Sequence, residues 1–213
     1  MTLQIGMMGS DGIVVVGDTW QYVEPKDRPW HGYDASKIRL SSDRRIAVFC
    51  AHDMDASFAV AEEILQKLSG DPDPNRRTGI LNIGDQLAEG SDSECLIVFA
   101  DPNPTLYRLS HPKSVRGKCE EIYGCVPIGD QWNTAFHLAM RFYRPGLSCQ
   151  QLSRLGSLMV VSAGHISSGS IRGLEGITCD KEGIRLWERE ECRLLETAMT
   201  NFENEIGDSI LGP

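Results

Sequence analysis

Several features that mark common protein classes are missing from this chain of 213 residues. No apolar run approaches the roughly 18 residues that a membrane-spanning helix needs. Basic residues are in the minority, with 21 Lys and Arg against 30 Asp and Glu, so the formal net charge is −9. Nucleic-acid-binding proteins usually carry a basic face that contacts phosphates. We therefore expect partners that include neither nucleic acid nor a membrane.

The short motifs of metal, redox and phosphate sites are missing too. The cysteines contain no C-x-x-C pair, the histidines no H-E-x-x-H pattern, and the Gly-rich segments no G-x-x-x-x-G-K-S/T loop. We therefore expect no metal and no cofactor. The cysteine count of seven is odd, and no basic-then-apolar leader precedes residue 20. These two observations predict free thiols and a cytoplasmic protein.

What is present indicates a folded chain of ordinary composition. With 41% apolar and 24% charged residues it is not a disordered sequence, and its length predicts one domain over residues 1–213. Short β-type runs at 2–8 and 13–16 flank a Gly9–Gly12 turn, while helical spacing marks 58–68, 79–88, 132–143, 152–159 and 188–205. The segment 20–34 carries Pro25 and Pro29 and is predicted to be a loop. The order of elements favours a layered α+β domain over alternating βαβ units.

The second residue is the first candidate for chemistry. Thr2 is a small residue, and the initiator methionine is usually removed when such a residue follows it. Removal would place a free α-amine beside the Thr2 hydroxyl. A hydroxyl is a poor nucleophile without an adjacent base, and an α-amine with an ordinary pKa of about 7.7–8.0 suits that task near neutral pH. Thr2 alone is weak support, since many proteins have Thr at this position.

The context of Thr2 carries a family resemblance. Four segments, Thr2–Gly6, Asp11–Thr19, Ser36–Ile38 and Asp43–Ala47, resemble the opening of proteasome β-type subunits. They also resemble the bacterial relative of those subunits, the ATP-dependent threonine peptidase of the heat-shock locus. The likeness extends over most of the chain and is weak in identity after the first fifty residues.

The resemblance implies a four-layer αββα Ntn-hydrolase (proteasome subunit-like) sandwich. In that fold Thr2 would attack an amide carbonyl, with its own amine carrying the proton. Lys37 would act as a cation that makes the hydroxyl easier to deprotonate, and Asp18 would pair with Lys37 and hold it in place.

Three positions depart from the family pattern. The oxyanion-hole glycine aligns with His52, a supporting serine with Asp130, and a supporting aspartate with His165, whereas the later serine is kept as Ser168. A side chain at the oxyanion position is tolerable only if the backbone φ and ψ permit it. Asp130 and His165 would either provide a new charge partner for the N-terminus or indicate that the residues which support the site in the family have been lost.

Three functional hypotheses follow. The first is a peptidase with Thr2 as nucleophile, with Asp18, Lys37, Asp130 and Ser168 as its other catalytic residues and His52 at the oxyanion site. The resemblance further implies homo-oligomeric rings that act on peptide or protein substrates, with an ATP-dependent unfoldase as a partner that would feed them. The second is a non-catalytic scaffold or binding subunit. The third is an Ntn amidase that acts on a small amide.

Overall fold

The computed structural model describes residues 2–23, 31–69, 75–88, 90–113, 116–129, 132–167 and 170–211. Within these ranges the chain forms strands β1 Leu3–Met8, β2 Ile13–Gly17, β3 Trp20–Val23, β4 His31–Asp34, β5 Ile38–Leu40, β6 Ile46–His52, β7 Ser93–Phe99, β8 Thr105–His111, β9 Lys118–Ile122, β10 Cys125–Gly129, β11 Glu175–Asp180 and β12 Gly183–Leu186. The helices are α1 Met54–Leu68, α2 Arg76–Leu87, α3 Trp132–Phe142, α4 Cys149–Ile166 and α5 Arg189–Leu211.

The strands form two five-stranded sheets and one short hairpin. The first sheet has the order β10-β1-β2-β11-β12 and the second the order β5-β6-β7-β8-β9, with antiparallel pairing throughout. The chain is therefore a mixed α/β protein with antiparallel sheets and five helices in its described part, which confirms the expected mixture of layered strands and helices.

The hairpin β3–β4 corrects one expectation from the sequence. Segment 20–34 is predicted to be a loop, yet Trp20 pairs with Asp34, and the Ala35 N–H donates to the Thr19 carbonyl at 2.8 Å. Pro25 and Pro29 lie between the two strands, outside the described residues, so neither proline removes a donor from the paired positions. The two prolines therefore gave a wrong prediction for the residues on either side of them, which form strands.

The apolar side chains pack into three clusters, and strand alternation decides which cluster each residue joins. In β2 the side chains of Val14 and Val16 pack with helix α4, whereas Ile13 and Val15 pack with residues of both sheets. A strand that is buried on both faces needs a continuous apolar run rather than an alternating one. This explains the uninterrupted sequence Ile13–Val16.

Strand β6 shows the same division in the second sheet. Ile46, Val48 and Cys50 join a cluster with helices α1 and α2, whereas Ala47 and Phe49 join the cluster that contains residues of both sheets. The two sheets therefore contact each other through one cluster, and each sheet contacts helices through another.

Local sequence signals account for the starts of two helices. The Asp53 side chain accepts from the Ala56 N–H at the start of α1, and Ser148 with Gln151 forms a capping box at the start of α4. Among the described residues, no helix combines the length and apolar character that crossing a bilayer would require.

Candidate active site

Thr2, Asp18 and Lys37 come together where the two sheets meet. Thr2 directly precedes β1 and Asp18 directly follows β2, and because these strands are antiparallel their adjacent ends lie side by side, with Gln4 opposite Gly17. Lys37 directly precedes β5 of the second sheet. The three sequence-predicted residues therefore reach one point from three strand ends.

The distances between these side chains are those of direct hydrogen bonds. The Lys37 ammonium Nζ donates to Thr2 Oγ1 at 3.2 Å and to both carboxylate oxygens of Asp18 at 2.9 Å. The side chains of Lys37 and Asp18 are fully buried, and Thr2 is buried as well. An ammonium that donates to a hydroxyl oxygen stabilises the alkoxide, which is the reactive form of threonine.

Asp18 is held by backbone as well as by Lys37. The Leu3 N–H donates to Asp18 Oδ1 at 2.8 Å, and the Asp18 N–H donates to the Leu3 carbonyl at 3.1 Å. Burial raises the pKa of Asp18, while the Lys37 ammonium and the Leu3 N–H oppose that rise by stabilising the carboxylate. The carboxylate therefore fixes Lys37 from one side and the first residues of β1 from the other.

Glu175 is the fourth residue at this point and the third charged one, and no sequence motif marks it. It begins β11, is buried, and its Oε1 accepts from the backbone N–H of Lys37 at 2.7 Å. Its register partner is Gly17, the residue before Asp18. Burial raises the pKa of Glu175 to about 7, against the hydrogen bonds from Ser36 and Lys37. Its strand position, directly before an alternating β run, is the only sequence signal for it.

His52 ends β6 in an uncommon backbone conformation. Its φ is +63°, in the left-handed region that glycine adopts most readily. Among residues with a side chain, His is one of the types that adopt this region more often than most. Cys50, two residues earlier, donates its N–H to the Lys37 carbonyl at 3.0 Å, which places this end of β6 beside the lysine.

The side chain of His52 belongs to a charged cluster with Glu94 and Arg108. His52 Nε2 lies 3.4 Å from Glu94 Oε2, and Arg108 Nε donates to Glu94 Oε1 at 2.7 Å. Glu94 also accepts from the Gly129 N–H at 3.1 Å. Burial would raise the pKa of Glu94, but the bonds from His52, Arg108 and Gly129 together lower it. The carboxylate therefore ties the second sheet to β10 of the first.

A cavity of about 650 Å³ opens beside this cluster. Its polar wall includes His52, Glu94 and Arg108, and its other wall includes the aromatic rings of Trp132 and Phe136. Trp132 and Phe136 pack edge to face with ring centroids 5.9 Å apart. Gly129, which also lines the cavity, has a φ of +93°, and a Cβ there would lie 2.2 Å from the Thr2 carbonyl oxygen. The cavity thus adjoins the backbone of the candidate nucleophile.

The remaining predicted residues are not brought to this point by any described contact. Asp130 and Ser168 lie outside the described residues. His165 lies on α4, where its Nδ1 is 2.5 Å from Glu203 Oε2 of α5. The structure therefore gives His165 a carboxylate partner between two helices. Within the described ranges no group of three or more His, Cys, Asp or Glu could hold a metal ion.

Comparisons with known proteins identify the fold. Neither a protein-family model nor a curated protein matches the chain. Solved structures that match include a Gly-1 mutant of Anbu from Hyphomicrobium sp. strain MC1, with a TM-score of 0.74, 14% identity and 99% of each chain covered. Anbu from the same strain matches with a TM-score of 0.71, 13% identity and 97% of each chain covered.

These findings correct the family expected from the sequence. The similar structures are those of Anbu, an Ntn-hydrolase-like, proteasome-related protein, so assignment to the proteasome β-type subunits or to the bacterial threonine peptidase is wrong. The expectation rested on four short segments within the first fifty residues, which is too little sequence to separate families that share a fold. At 13–14% identity the likeness shows a proteasome-like fold and leaves the activity open.

Proposed function

We propose that the protein is an N-terminal-threonine hydrolase that cleaves peptide bonds, with Thr2 as the nucleophile. The observation that carries this proposal is the position of the Lys37 ammonium, buried 3.2 Å from Thr2 Oγ1 and 2.9 Å from both oxygens of Asp18. A buried ion pair adds little net stability, so a lysine and a carboxylate buried around a hydroxyl favour a functional role for that hydroxyl.

The reaction proceeds in two halves. Thr2 Oγ1 bonds to the amide carbonyl carbon, and its proton passes to the Thr2 α-amine, directly or through a water. The carbon–nitrogen bond then breaks, and the departing amine takes that proton. Water attacks the resulting ester and gives a proton to the α-amine. The bond to Thr2 Oγ1 then breaks, the α-amine passes that proton to Oγ1, and the acid is released as the Thr2 hydroxyl is restored. Lys37 stays a cation throughout and stabilises negative charge on Oγ1.

The backbone N–H of His52 is the proposed donor to the oxyanion. Its φ of +63° supports this role, because the same region is open to the glycine expected there. Asp130 and Ser168 remain proposed catalytic residues. The cavity beside His52 and Gly129 is the proposed seat of the substrate, with Trp132 and Phe136 as its apolar wall.

The three side-chain clusters support a four-layer αββα arrangement within one domain. One cluster lies between the first sheet and helices α3, α4 and α5, one between the second sheet and helices α1 and α2, and one between the sheets. Self-association into rings, an ATP-dependent unfoldase as partner and a cytoplasmic location remain predictions.

The decisive experiment compares peptide hydrolysis by the wild type and Thr2→Ala after intact mass has been measured. We expect a mass without Met1 and a loss of at least about 10³-fold in kcat/KM, since removing a nucleophile abolishes the covalent route. Thr2→Ser should keep measurable activity, and Thr197→Ala on the exposed face of α5 serves as the matched control.

The outcomes separate the three functional hypotheses. A retained Met1 or unchanged hydrolysis by Thr2→Ala would rule out the threonine mechanism. Labelling of Thr2 by a threonine-directed covalent inhibitor separates an enzyme from a scaffold. Cleavage of small amides without cleavage of unfolded peptides would assign the protein as an amidase.

A further inference from the structure

We propose that Glu175 is a positioning residue of this site, which holds the Lys37 backbone and places a second carboxylate near the lysine, so that the reactivity of Thr2 depends on the charge of Glu175. This inference rests on the proposed hydrolase function. It concerns a residue that lies outside the set Thr2, Asp18 and Lys37 and that no sequence motif marks.

The first argument is the contact itself. Glu175 Oε1 accepts the Lys37 backbone N–H at 2.7 Å, and the Lys37 carbonyl accepts the Cys50 N–H at 3.0 Å. Both backbone groups of Lys37 are therefore bonded, one to a side chain of the first sheet and one to a strand of the second. A lysine whose backbone is held across the two sheets can place its ammonium reproducibly on Thr2 Oγ1.

The second argument is the position of Glu175 in the sheet. Its Cα partner in the ladder is Gly17, so it lies on the strand next to Asp18. Asp18 and Glu175 therefore approach the same lysine, one at its ammonium and one at its backbone. Two carboxylates near one buried cation leave a net negative site when both are ionised and a neutral one when Glu175 is protonated.

The third argument is which charges surround Glu175. Lys37 and Asp18 face it from the strand ends, and the Ser36 hydroxyl bonds to it. The Cys50 and Cys192 thiols are also near, and burial is among the causes that raise the pKa of each, that of Cys192 to about 11, so both are neutral near pH 7. Since burial raises the pKa of Glu175 to about 7, Glu175 is the group of this set that changes charge near neutrality.

The charge has a predictable effect on the reaction. Ionised Glu175 offsets part of the Lys37 cation, so the alkoxide of Thr2 is less stabilised. Protonated Glu175 leaves Lys37 balanced by Asp18 alone, and the alkoxide is more stabilised. A glutamine at position 175 keeps an oxygen that accepts the Lys37 N–H and carries no charge, so it imitates the protonated form at every pH.

The test is the ratio of kcat/KM of Glu175→Gln to that of the wild type from pH 5.5 to pH 8.5. We expect this ratio to be near one at low pH and to rise about tenfold as the pH increases, with its midpoint near pH 7. A tenfold change is the effect of a shift of one unit in the pKa of a reacting group. Glu175→Ala should instead lose activity at every pH, because the buried Lys37 N–H then lacks its acceptor. Glu191→Gln, at a surface carboxylate paired with Arg185, is the control and should give a flat ratio.

A second measurement does not depend on activity. In difference infrared spectra between pH 6 and pH 8, the wild type should show the carbonyl band of a buried protonated carboxyl group, and Glu175→Gln should lack it. A flat activity ratio in an enzyme that Thr2→Ala inactivates overturns the inference and leaves the proposed function standing. Hydrolysis that persists in Thr2→Ala overturns both, and absence of the carboxyl band overturns the charge argument by itself.

Discussion

Lys37 carries a positive charge in a place from which water is excluded, and the carboxylate of Asp18 is bonded to its ammonium. Burial of an ion pair contributes little net stability, because desolvation offsets most of the attraction between the charges. Breaking the pair is different, since the remaining charge stays buried without its partner. The proposed reactivity of Thr2 and the stability of the chain therefore depend on the same two side chains.

We predict that Lys37→Met lowers the free energy of unfolding by about 3–5 kcal/mol at pH 7, because Asp18 is then a buried carboxylate without its cation. The double variant Asp18→Asn with Lys37→Met should regain part of that loss, since neither of these two positions then buries an unpaired charge. Urea unfolding measures all three free energies, with Lys67→Met on the exposed side of α1 as the control. A double variant no more stable than Lys37→Met would contradict the pair as the cause.

At the scale of elements, the two sheets are linked near His52 by the side chain of Glu94 and not by strand pairing. Glu94 of β7 bonds to the Gly129 N–H of β10, to Arg108 of β8 and to His52 of β6. Three strands of the second sheet and one of the first thus share a single side chain. The left-handed backbone of His52 lies within this cluster, so the geometry of the proposed oxyanion donor depends on it.

We predict that Glu94→Gln destabilises the protein at neutral pH by about 1.5–3 kcal/mol, the value of hydrogen bonds to a charged group. The folded-state pKa of Glu94 lies below its ordinary value of 4.5, so its carboxylate stabilises the fold at pH above 4.5. That contribution is lost as the pH falls through the folded pKa. The free-energy difference between wild type and Glu94→Gln, measured by urea unfolding from pH 7 to pH 3, should therefore shrink below pH 4.5.

Glu191→Gln is the control for this experiment, since its surface pair with Arg185 should contribute at most about 1 kcal/mol. If the difference in unfolding free energy between wild type and Glu94→Gln stayed constant with pH, the charge of Glu94 would not contribute to stability. The effect of pH on the contribution of Glu175 to stability has the opposite sign. Its pKa is raised in the folded state, so its ionisation lowers the free energy of unfolding as the pH rises from 4.5 towards 7.

For the whole molecule, the cluster shared by the two sheets decides how the protein unfolds. Val15 and Ile177 from the first sheet pack in it with Phe49 and Leu96 from the second, all fully buried. If either sheet unfolded alone, the apolar face of the other sheet would become exposed to water. The catalytic proposal needs this as well, because Lys37 belongs to the second sheet and Thr2 to the first.

We predict one cooperative unfolding transition, with the calorimetric enthalpy equal to the van't Hoff enthalpy, as expected if residues 1–213 form one domain. The same midpoint should be found by circular dichroism and by tryptophan fluorescence. Phe49→Ala, which removes a side chain between the sheets, should lower stability by about 3–5 kcal/mol and keep a single transition. Two separate transitions would show that the sheets fold as independent units.

Much of the fold could be predicted because its signals are local. The hairpin β1–β2 and the capped starts of α1 and α4 follow from residues at strand and helix ends, whereas the set Thr2, Asp18 and Lys37 is implied only by the family resemblance. Strand β9 was missed, since the charged run 118–122 has no apolar alternation, and β3–β4 was missed because two prolines lie between its strands. The family was misjudged from a pattern that a shared fold can explain.

The sequence by itself therefore determined the hairpin β1–β2 and most of the helices, and its family resemblance pointed to Thr2, Asp18 and Lys37. Only the tertiary structure decided that Glu175 reaches Lys37 across 138 residues, that Glu94 joins His52 to Gly129, and that His165 pairs with Glu203 instead. The physical reason is the range of the forces involved. Turns, caps and periodicity act within a few residues, whereas these contacts exist only after the sheets and helices have packed.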